Sequence, residues 1–93
     1  MATPKQKTTD GFEYQSGINH LGHFKLTMLL LPIMKETEEE GEKRIVVVSS
    51  RAHVRATNGK IDFDDFNWEK REYTPMSSYS QSKLANIMFA NEF

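Results

Sequence analysis

The sequence predicts an α/β protein, because one strongly apolar strand pattern lies between two helix patterns. The strand pattern covers about residues 44–49 and contains the β-branched run Ile45-Val-Val-Val48. The helix patterns cover about residues 11–35 and 78–93. A strand without polar interruptions is typical of a parallel sheet that is covered on both faces. The fold class indicated is therefore a doubly wound parallel sheet with flanking helices.

A single strand of this kind cannot form such a sheet, since its backbone N–H and C=O groups need neighbours on both sides. The last residues, Ala90-Asn-Glu-Phe93, also continue a helical pattern without Gly, Pro or a capping residue. We therefore expect the 93 residues to form the central piece of a larger domain.

The first helix pattern has a broad apolar face, which predicts contacts on more than one side. Gly17 and Gly22 interrupt this pattern, and each destabilises a helix interior by about 1 kcal/mol relative to alanine. We therefore expect another backbone to approach there. Pro32 is expected to kink or end this helix. The apolar positions are Phe12, Ile18, Leu21, Phe24, Met28, Leu29 and Leu31.

Residues 51–76 form a polar insertion between the strand pattern and the second helix. Asn58-Gly59, flanked by Val54 and Ile61, predicts a two-residue hairpin turn. Ser78 with Gln81 fits a capping box, which places the start of the second helix at about residue 78. On that helix, Leu84, Ile87 and Met88 form the expected apolar face.

The composition excludes several kinds of function. The net charge is −1, from 12 basic and 13 acidic residues, so no nucleic-acid-binding surface is indicated. Cysteine is absent, which excludes disulfides and thiol chemistry. His20 and His23 are three residues apart on a helix, but no further ligand motif accompanies them, so we expect packing or surface roles and no metal.

A tyrosine and a lysine stand four residues apart at the start of the second helix pattern. At this spacing Tyr79 and Lys83 lie on one helical face. An ammonium group beside a phenol favours the phenolate, which makes the tyrosine a usable proton donor or acceptor. The pair alone is common in proteins, and it indicates a catalytic site only together with two polar residues upstream.

Those residues are Asn19 in the first helix pattern and a serine at the end of the strand. Asn, strand-terminal Ser and Tyr-x-x-x-Lys, in this order, resemble the catalytic set of the short-chain dehydrogenase/reductase family. The blocks Asn19-His-Leu-Gly-His-Phe24, Val48-Ser-Ser50 and Tyr79-Ser-Gln-Ser-Lys-Leu-Ala-Asn86 are similar to its retinol dehydrogenase-like branch. The resemblance implies the central piece of a Rossmann-type domain.

The resemblance also implies a role for each residue. Tyr79 is the general acid/base, Ser50 hydrogen-bonds the reacting oxygen, and Lys83 lowers the tyrosine pKa. Spacing does not separate Ser49 from Ser50, and the family pattern points to Ser50. Asn19 is expected to bend its helix and to support proton relay from Lys83. Tyr79 and Lys83 also contact the nicotinamide cofactor, which is NADP or NAD.

The resemblance implies that the whole enzyme is intracellular and carries the membrane anchor typical of the branch, at the endoplasmic reticulum. It also implies a hydrophobic alcohol or carbonyl substrate, such as a retinoid, steroid or lipid aldehyde. The five glycines of this sequence never form the Gly-rich turn that holds the cofactor pyrophosphate in the family. The 93 residues therefore carry the catalytic set without the nucleotide-binding part, and we expect them to be inactive alone.

A non-enzymatic function is the main alternative. In the family, helices equivalent to 12–34 and 78–93 pair across a subunit interface, so these residues could form a homo-oligomer or an interaction module without catalysis. Cofactor binding distinguishes the two hypotheses. An independent helical binding module is disfavoured by the buried-type strand pattern and by the four catalytic-type residues.

Overall fold

The computed structural model describes all 93 residues as a helical chain. One continuous helical stretch begins with α1 (Tyr14–Ser16), passes through a π-helical segment (Gly17–Leu21) and continues as α2 (Gly22–Glu36). The second long helix is α3 (Pro75–Asn91). The region between them contains short 3₁₀ turns at Arg51–Arg55, Thr57–Gly59 and Phe63–Asp65.

The first helical stretch begins at an acidic cap. The carboxylate of Glu13, whose residue is 1% exposed, accepts hydrogen bonds from the backbone amides of Gln15 and Ser16, at 2.9 and 2.8 Å. Such a cap satisfies free N–H groups and places negative charge at the positive end of the helix. The helix therefore begins at Tyr14, three residues after the predicted start, and Pro32 is accommodated within α2.

The π-helical segment contains the first of the two helical glycines. A Cβ atom on Gly17 would lie 2.6 Å from the side chain of Thr8, so a side chain rather than the expected backbone approaches it. Gly22 donates its amide proton to the carbonyl of Gly17, the i to i+5 pattern of a π-helix. The widened turn changes which backbone carbonyls remain available to side chains.

The second long helix begins three residues before its predicted start. Thr74 is the N-cap, and its hydroxyl accepts from the amide of Ser77 at 3.1 Å. Pro75 occupies the first helical position, where its missing N–H has no cost. The predicted capping box at Ser78 is therefore wrong: Ser78 lies inside α3 and is completely buried.

The strand predicted over residues 44–49 is not formed. These residues belong to no helix or strand, and the only sheet-type pairing in the chain is an isolated bridge between Lys7 and Glu13. Their exposure nevertheless alternates: Ile45 and Val47 are half-buried, whereas Val46 and Val48 are 83% and 70% exposed. This alternation is typical of an extended chain with one covered face. No other segment lies beside it to supply ladder hydrogen bonds.

The predicted hairpin is also absent, although its turn is present. Asn58 and Gly59 both have positive φ, 54° and 65°, as a two-residue hairpin turn requires. The residues on either side form 3₁₀ turns and irregular chain instead of paired strands. The local turn chemistry was therefore right and the strands around it were wrong.

The interior of the chain is mostly polar. Of 13 buried residues, only Ala56, Trp68, Ala85 and Phe89 are hydrophobic. The predicted apolar face of α3 is not its buried face, since Leu84 and Ile87 are half-buried and Met88 is 44% exposed. The buried residues of α3 are Ser78, Ser80, Gln81, Ser82, Ala85, Asn86 and Phe89.

The loop before α3 is held by one carboxylate and one arginine. Asp65 accepts hydrogen bonds from the backbone amides of residues 69–71. The guanidinium of Arg71 lies 3.5 Å from the ring centroid of Trp68 and donates to the Gln81 side chain on α3 at 2.6 Å. These contacts fix the N-terminal half of α3 against the loop.

None of the helices combines the length and apolar character that crossing a membrane requires.

Candidate active site

The tyrosine and lysine of the Tyr-x-x-x-Lys motif lie on adjoining turns in the first half of α3. Both residues are half-buried, and the Lys83 ammonium lies 5.6 Å from the centroid of the Tyr79 ring. A cation at this distance from an aromatic ring is electrostatically favourable. The helix alone sets this geometry, because residues four apart share one face.

Ser50 lies across a cleft from α3. Its backbone is extended, with φ −150° and ψ 151°, and it caps the 3₁₀ turn that follows, accepting from the amide of Ala52 at 3.1 Å. Ser50 and Tyr79 line the same cleft, which has a volume of about 510 Å³. The other lining residues are Met1, Arg51, Ala52, Val54, Arg55 and Met76.

The neighbouring serine has a different environment. The hydroxyl of Ser49 donates to the backbone carbonyl of Lys83 at 2.7 Å, and Ser49 is not among the residues that line the cleft. Ser49 therefore ties the extended segment to α3, whereas Ser50 borders the space beside Tyr79.

Asn19 lies in the π-helical segment and is joined to α3 through a serine. Its side-chain amide donates to the hydroxyl of Ser82 at 3.1 Å, and that hydroxyl donates to the carbonyl of Tyr79 at 2.7 Å. Asn19 itself is half-buried and does not line the cleft of Ser50 and Tyr79. The structure thus places the four predicted residues on three segments that meet along α3.

Sequence reasoning missed one polar residue at this meeting point. Asn86 is 3% exposed and hydrogen-bonds to the carbonyls of Asn19 and Val48, both at 3.0 Å. It belongs to the same sequence block as Tyr79 and Lys83, but an asparagine on a helix is most often a surface residue. Only the contacts identify it as a link between segments.

The cleft fits one end of a nicotinamide nucleotide better than the other. Ser50 and Tyr79 line the cleft and carry hydroxyl groups that can hydrogen-bond a ribose and a reacting oxygen, and Lys83 lies beside the Tyr79 ring. The glycines with positive φ, at positions 11, 41 and 59, are isolated and form no pyrophosphate-binding turn. The residues present therefore suit the nicotinamide end and not the pyrophosphate.

Comparison with known proteins finds relatives that are named as dehydrogenases. It is 50% identical over 92 residues to retinol dehydrogenase 13 of Homo sapiens, which covers 99% of this chain and 26% of that protein. It is 52% identical over 89 residues to human retinol dehydrogenase 14, covering 96% of this chain and 24% of that protein. Human polyprenol dehydrogenase is 44% identical over 90 residues, 96% of this chain and 26% of that protein.

The fold has a counterpart among solved structures. An uncharacterised protein from Mycobacterium paratuberculosis superposes with a TM-score of 0.83 at 50% identity, over 99% of this chain and 31% of that one. No family model matches the sequence. The chain spans about a quarter of the length of the curated relatives it matches.

These relatives match the family resemblance carried by the asparagine, serine, tyrosine and lysine blocks. Their identity to this chain extends over nearly all of its residues rather than over one motif. The chain therefore belongs to the short-chain dehydrogenase/reductase family, in its retinol dehydrogenase-like branch.

Proposed function

We propose that this chain is the catalytic segment of an NAD(P)-dependent oxidoreductase that interconverts a hydrophobic alcohol and its carbonyl compound. The observation that supports this most strongly is the shared cleft of Ser50 and Tyr79, with Lys83 beside the tyrosine ring. Relatives named as retinol and polyprenol dehydrogenases support a hydrophobic alcohol. A retinoid, a steroid or a lipid aldehyde fits this substrate class.

Tyr79 acts as the acid/base in the proposed reaction. In the oxidation direction its phenolate takes the hydroxyl proton of the alcohol, and the electron pair of the broken O–H bond forms the carbonyl. A nicotinamide cofactor, NADP⁺ or NAD⁺, would supply the acceptor for the hydride that leaves the carbinol carbon. In reduction Tyr79 returns the proton to the carbonyl oxygen.

The other residues support this proton transfer. The Ser50 hydroxyl donates a hydrogen bond to the reacting oxygen and stabilises its developing negative charge. The Lys83 ammonium lies 5.6 Å from the centroid of the Tyr79 ring and would give the nicotinamide ribose a hydrogen-bond donor. Asn19 belongs to a distorted helical turn, the kind of helix irregularity often found at functional sites.

We further propose that residues 44–49 form a parallel strand of a Rossmann-type sheet in the whole enzyme. The alternating exposure of Ile45 to Val48 and their wholly apolar side chains support this assignment. In that setting Ser50 follows the carboxyl end of the strand, where ligands bind in parallel α/β sheets.

The proposal can be tested in a chimera, because the relatives supply the rest of the enzyme. Residues 1–93 replace the matching quarter of human retinol dehydrogenase 13, and circular dichroism checks that the chimera folds. We expect retinol-dependent reduction of NADP⁺ or NAD⁺ by the chimera. A folded chimera with no activity towards retinol or longer prenyl alcohols would count against the proposed function.

A second function, as an interaction or dimerisation module without catalysis, is favoured by the exposed apolar face of α2. Leu26, Leu29 and Ile33 are 55%, 63% and 60% exposed. An apolar groove of about 430 Å³, which includes Phe24, Met28 and Phe89, lies between α2 and α3. Co-purification of the 93-residue chain with the full-length relative, without any NAD(P)H binding by the chain, would support this alternative.

A further inference from the structure

Asn86 makes three hydrogen bonds from a buried position on α3. Its Nδ2 atom donates to the backbone carbonyls of Asn19 and Val48, and its Oδ1 atom lies 3.0 Å from Nδ1 of His20. Three residues before it in the helix stands Lys83, and seven before it Tyr79. One amide group therefore touches the two segments that lie against the catalytic part of α3.

The hydrogen-bonding capacity of this amide determines its orientation. Both Nδ2 hydrogens are used on carbonyl oxygens, and a flipped amide would bring its own oxygen against those two acceptors. Since the Oδ1 atom can only accept, His20 must carry a proton on Nδ1. The three contacts are thus mutually consistent, and together they pair the polar atoms of the buried Asn86 side chain.

Each partner of Asn86 belongs to a segment that carries a proposed catalytic residue. Asn19 is itself one of them, and Val48 precedes Ser50 by two residues in the extended segment. Tyr79 and Lys83 are held relative to Asn86 by the helix they share. The distance between the Ser50 segment and Tyr79 therefore depends on the hydrogen bond from Asn86 to Val48 and on that from Ser49 to Lys83.

We infer that Asn86 is a positioning residue of the active site, which holds Ser50 and Asn19 in register with Tyr79. This inference rests on the proposed function. Asn86 does not reach the cleft, so it acts through the segments it joins and not on the substrate. A misplacement of about 1 Å in a reacting group can cost on the order of 10²-fold in rate, so an amide of this kind can control turnover.

The matched variants are Asn86→Ala, Asn86→Asp and Asn91→Ala in the retinol dehydrogenase 13 chimera. Asn86→Asp keeps the side-chain volume but has no N–H donor, and Asn91 is an exposed asparagine on the same helix. We expect kcat to fall about tenfold or more in both Asn86 variants, with an unchanged cofactor Kd, and to remain unchanged in Asn91→Ala.

A double-mutant cycle separates positioning from a general loss of stability. If Asn86 acts through Ser50, Asn86→Ala should slow the Ser50→Ala enzyme by a clearly smaller factor than it slows the unsubstituted chimera, because one of the two positioned groups is already gone. If the two effects multiply, Asn86 does not work through Ser50 and the inference is overturned. Unchanged kcat in both Asn86 single variants would overturn it as well.

Amide hydrogen exchange tests the positioning role of Asn86 without requiring an active enzyme. The amides of Ala52 and His53 donate to Ser50, and the amide of Gly22 donates to Gly17. Asn86→Ala should accelerate exchange at these sites in the chimera, while Asn91→Ala should not. An inactive chimera with this exchange pattern contradicts the proposed function and keeps the positioning role; unchanged exchange contradicts the positioning role itself.

Discussion

At the scale of single residues, the adjacent Ser49 and Ser50 have different environments because the chain is extended there. Successive side chains of an extended segment point to opposite sides. Ile45, Val47 and Ser49 lie on the side that faces the helices, while Ser50 lies on the side of the exposed Val46 and Val48. The sequence could not assign these sides, since the run is apolar throughout and has no alternation of its own.

Replacing each serine with alanine separates their roles. Ser50→Ala should lower kcat by about 10²-fold, because it removes a donor to the developing oxyanion. Ser49→Ala should leave kcat within a few-fold and cost about 1 kcal/mol of stability, because it removes one hydrogen bond to the Lys83 carbonyl. Kinetics and thermal unfolding of the two chimera variants measure both effects. A larger kcat loss for Ser49→Ala would reverse the assignment.

The contacts of the Asn86 side chain could not be predicted from the sequence. The spacing of Tyr79, Lys83 and Asn86 indicates a shared region of the helix but gives no information about what the amide contacts. Its partners are backbone carbonyls 38 and 67 residues away, and any residue type supplies a backbone carbonyl. No pattern of residue types could therefore have predicted this link.

At the scale of elements, the helices were easier to predict than their boundaries and the strand. The apolar periodicity predicted helical structure over both long segments, while Glu13 and Thr74 set where it begins. The Thr74-Pro75 pair is a recognisable helix start that competed with Ser78 and Gln81. The strand needed partners that no local pattern supplies, and the hairpin failed for the same reason.

The loop before α3 depends on a carboxylate that should remain charged under acidic conditions. Burial of Asp65 disfavours its charged form, but the hydrogen bonds from the amides of residues 69–71 and the charge of Arg71 outweigh this and lower its pKa below the ordinary 3.8. A lowered folded-state pKa stabilises the loop above the unfolded pKa. This stabilisation is lost as the pH falls through the folded-state value.

We therefore predict that Asp65 titrates with a midpoint below 3.8. NMR of its carboxyl carbon in the chimera measures this midpoint. Arg71→Leu should raise the midpoint, because it removes a neighbouring positive charge. Asp65→Asn should abolish the accompanying shifts of the amide resonances of residues 69–71. A midpoint at or above the ordinary value in the unsubstituted protein would show that the hydrogen bonds do not hold the carboxylate.

At the scale of the whole molecule, the 93 residues bury polar groups and expose apolar ones. Large hydrophobic side chains are exposed along α2 and on the extended segment, while the buried side chains are mainly Ser, Gln, Glu and Asn. This distribution is the reverse of a typical core and leaves apolar surface without a partner. In the proposed whole enzyme, neighbouring strands and helices would cover that surface.

The isolated 93-residue chain should consequently be only marginally stable. We expect fast amide exchange over most of the chain, or self-association through the exposed α2 face, because too little apolar area is buried. Size-exclusion chromatography with light scattering and hydrogen exchange test this directly. Leu29→Lys, at a 63% exposed position, should reduce self-association without further loss of helix. A monomer with a cooperative unfolding transition would contradict the prediction.

The central claim, that this chain carries the acid/base of an oxidoreductase, depends most directly on Tyr79. Tyr79→Phe in the chimera keeps the ring beside Lys83 but removes the transferable proton. We predict that kcat for retinol oxidation falls by roughly 10²-fold or more, with little change in cofactor Kd. Turnover close to that of the unsubstituted chimera would contradict the assignment of Tyr79 and the mechanism built on it.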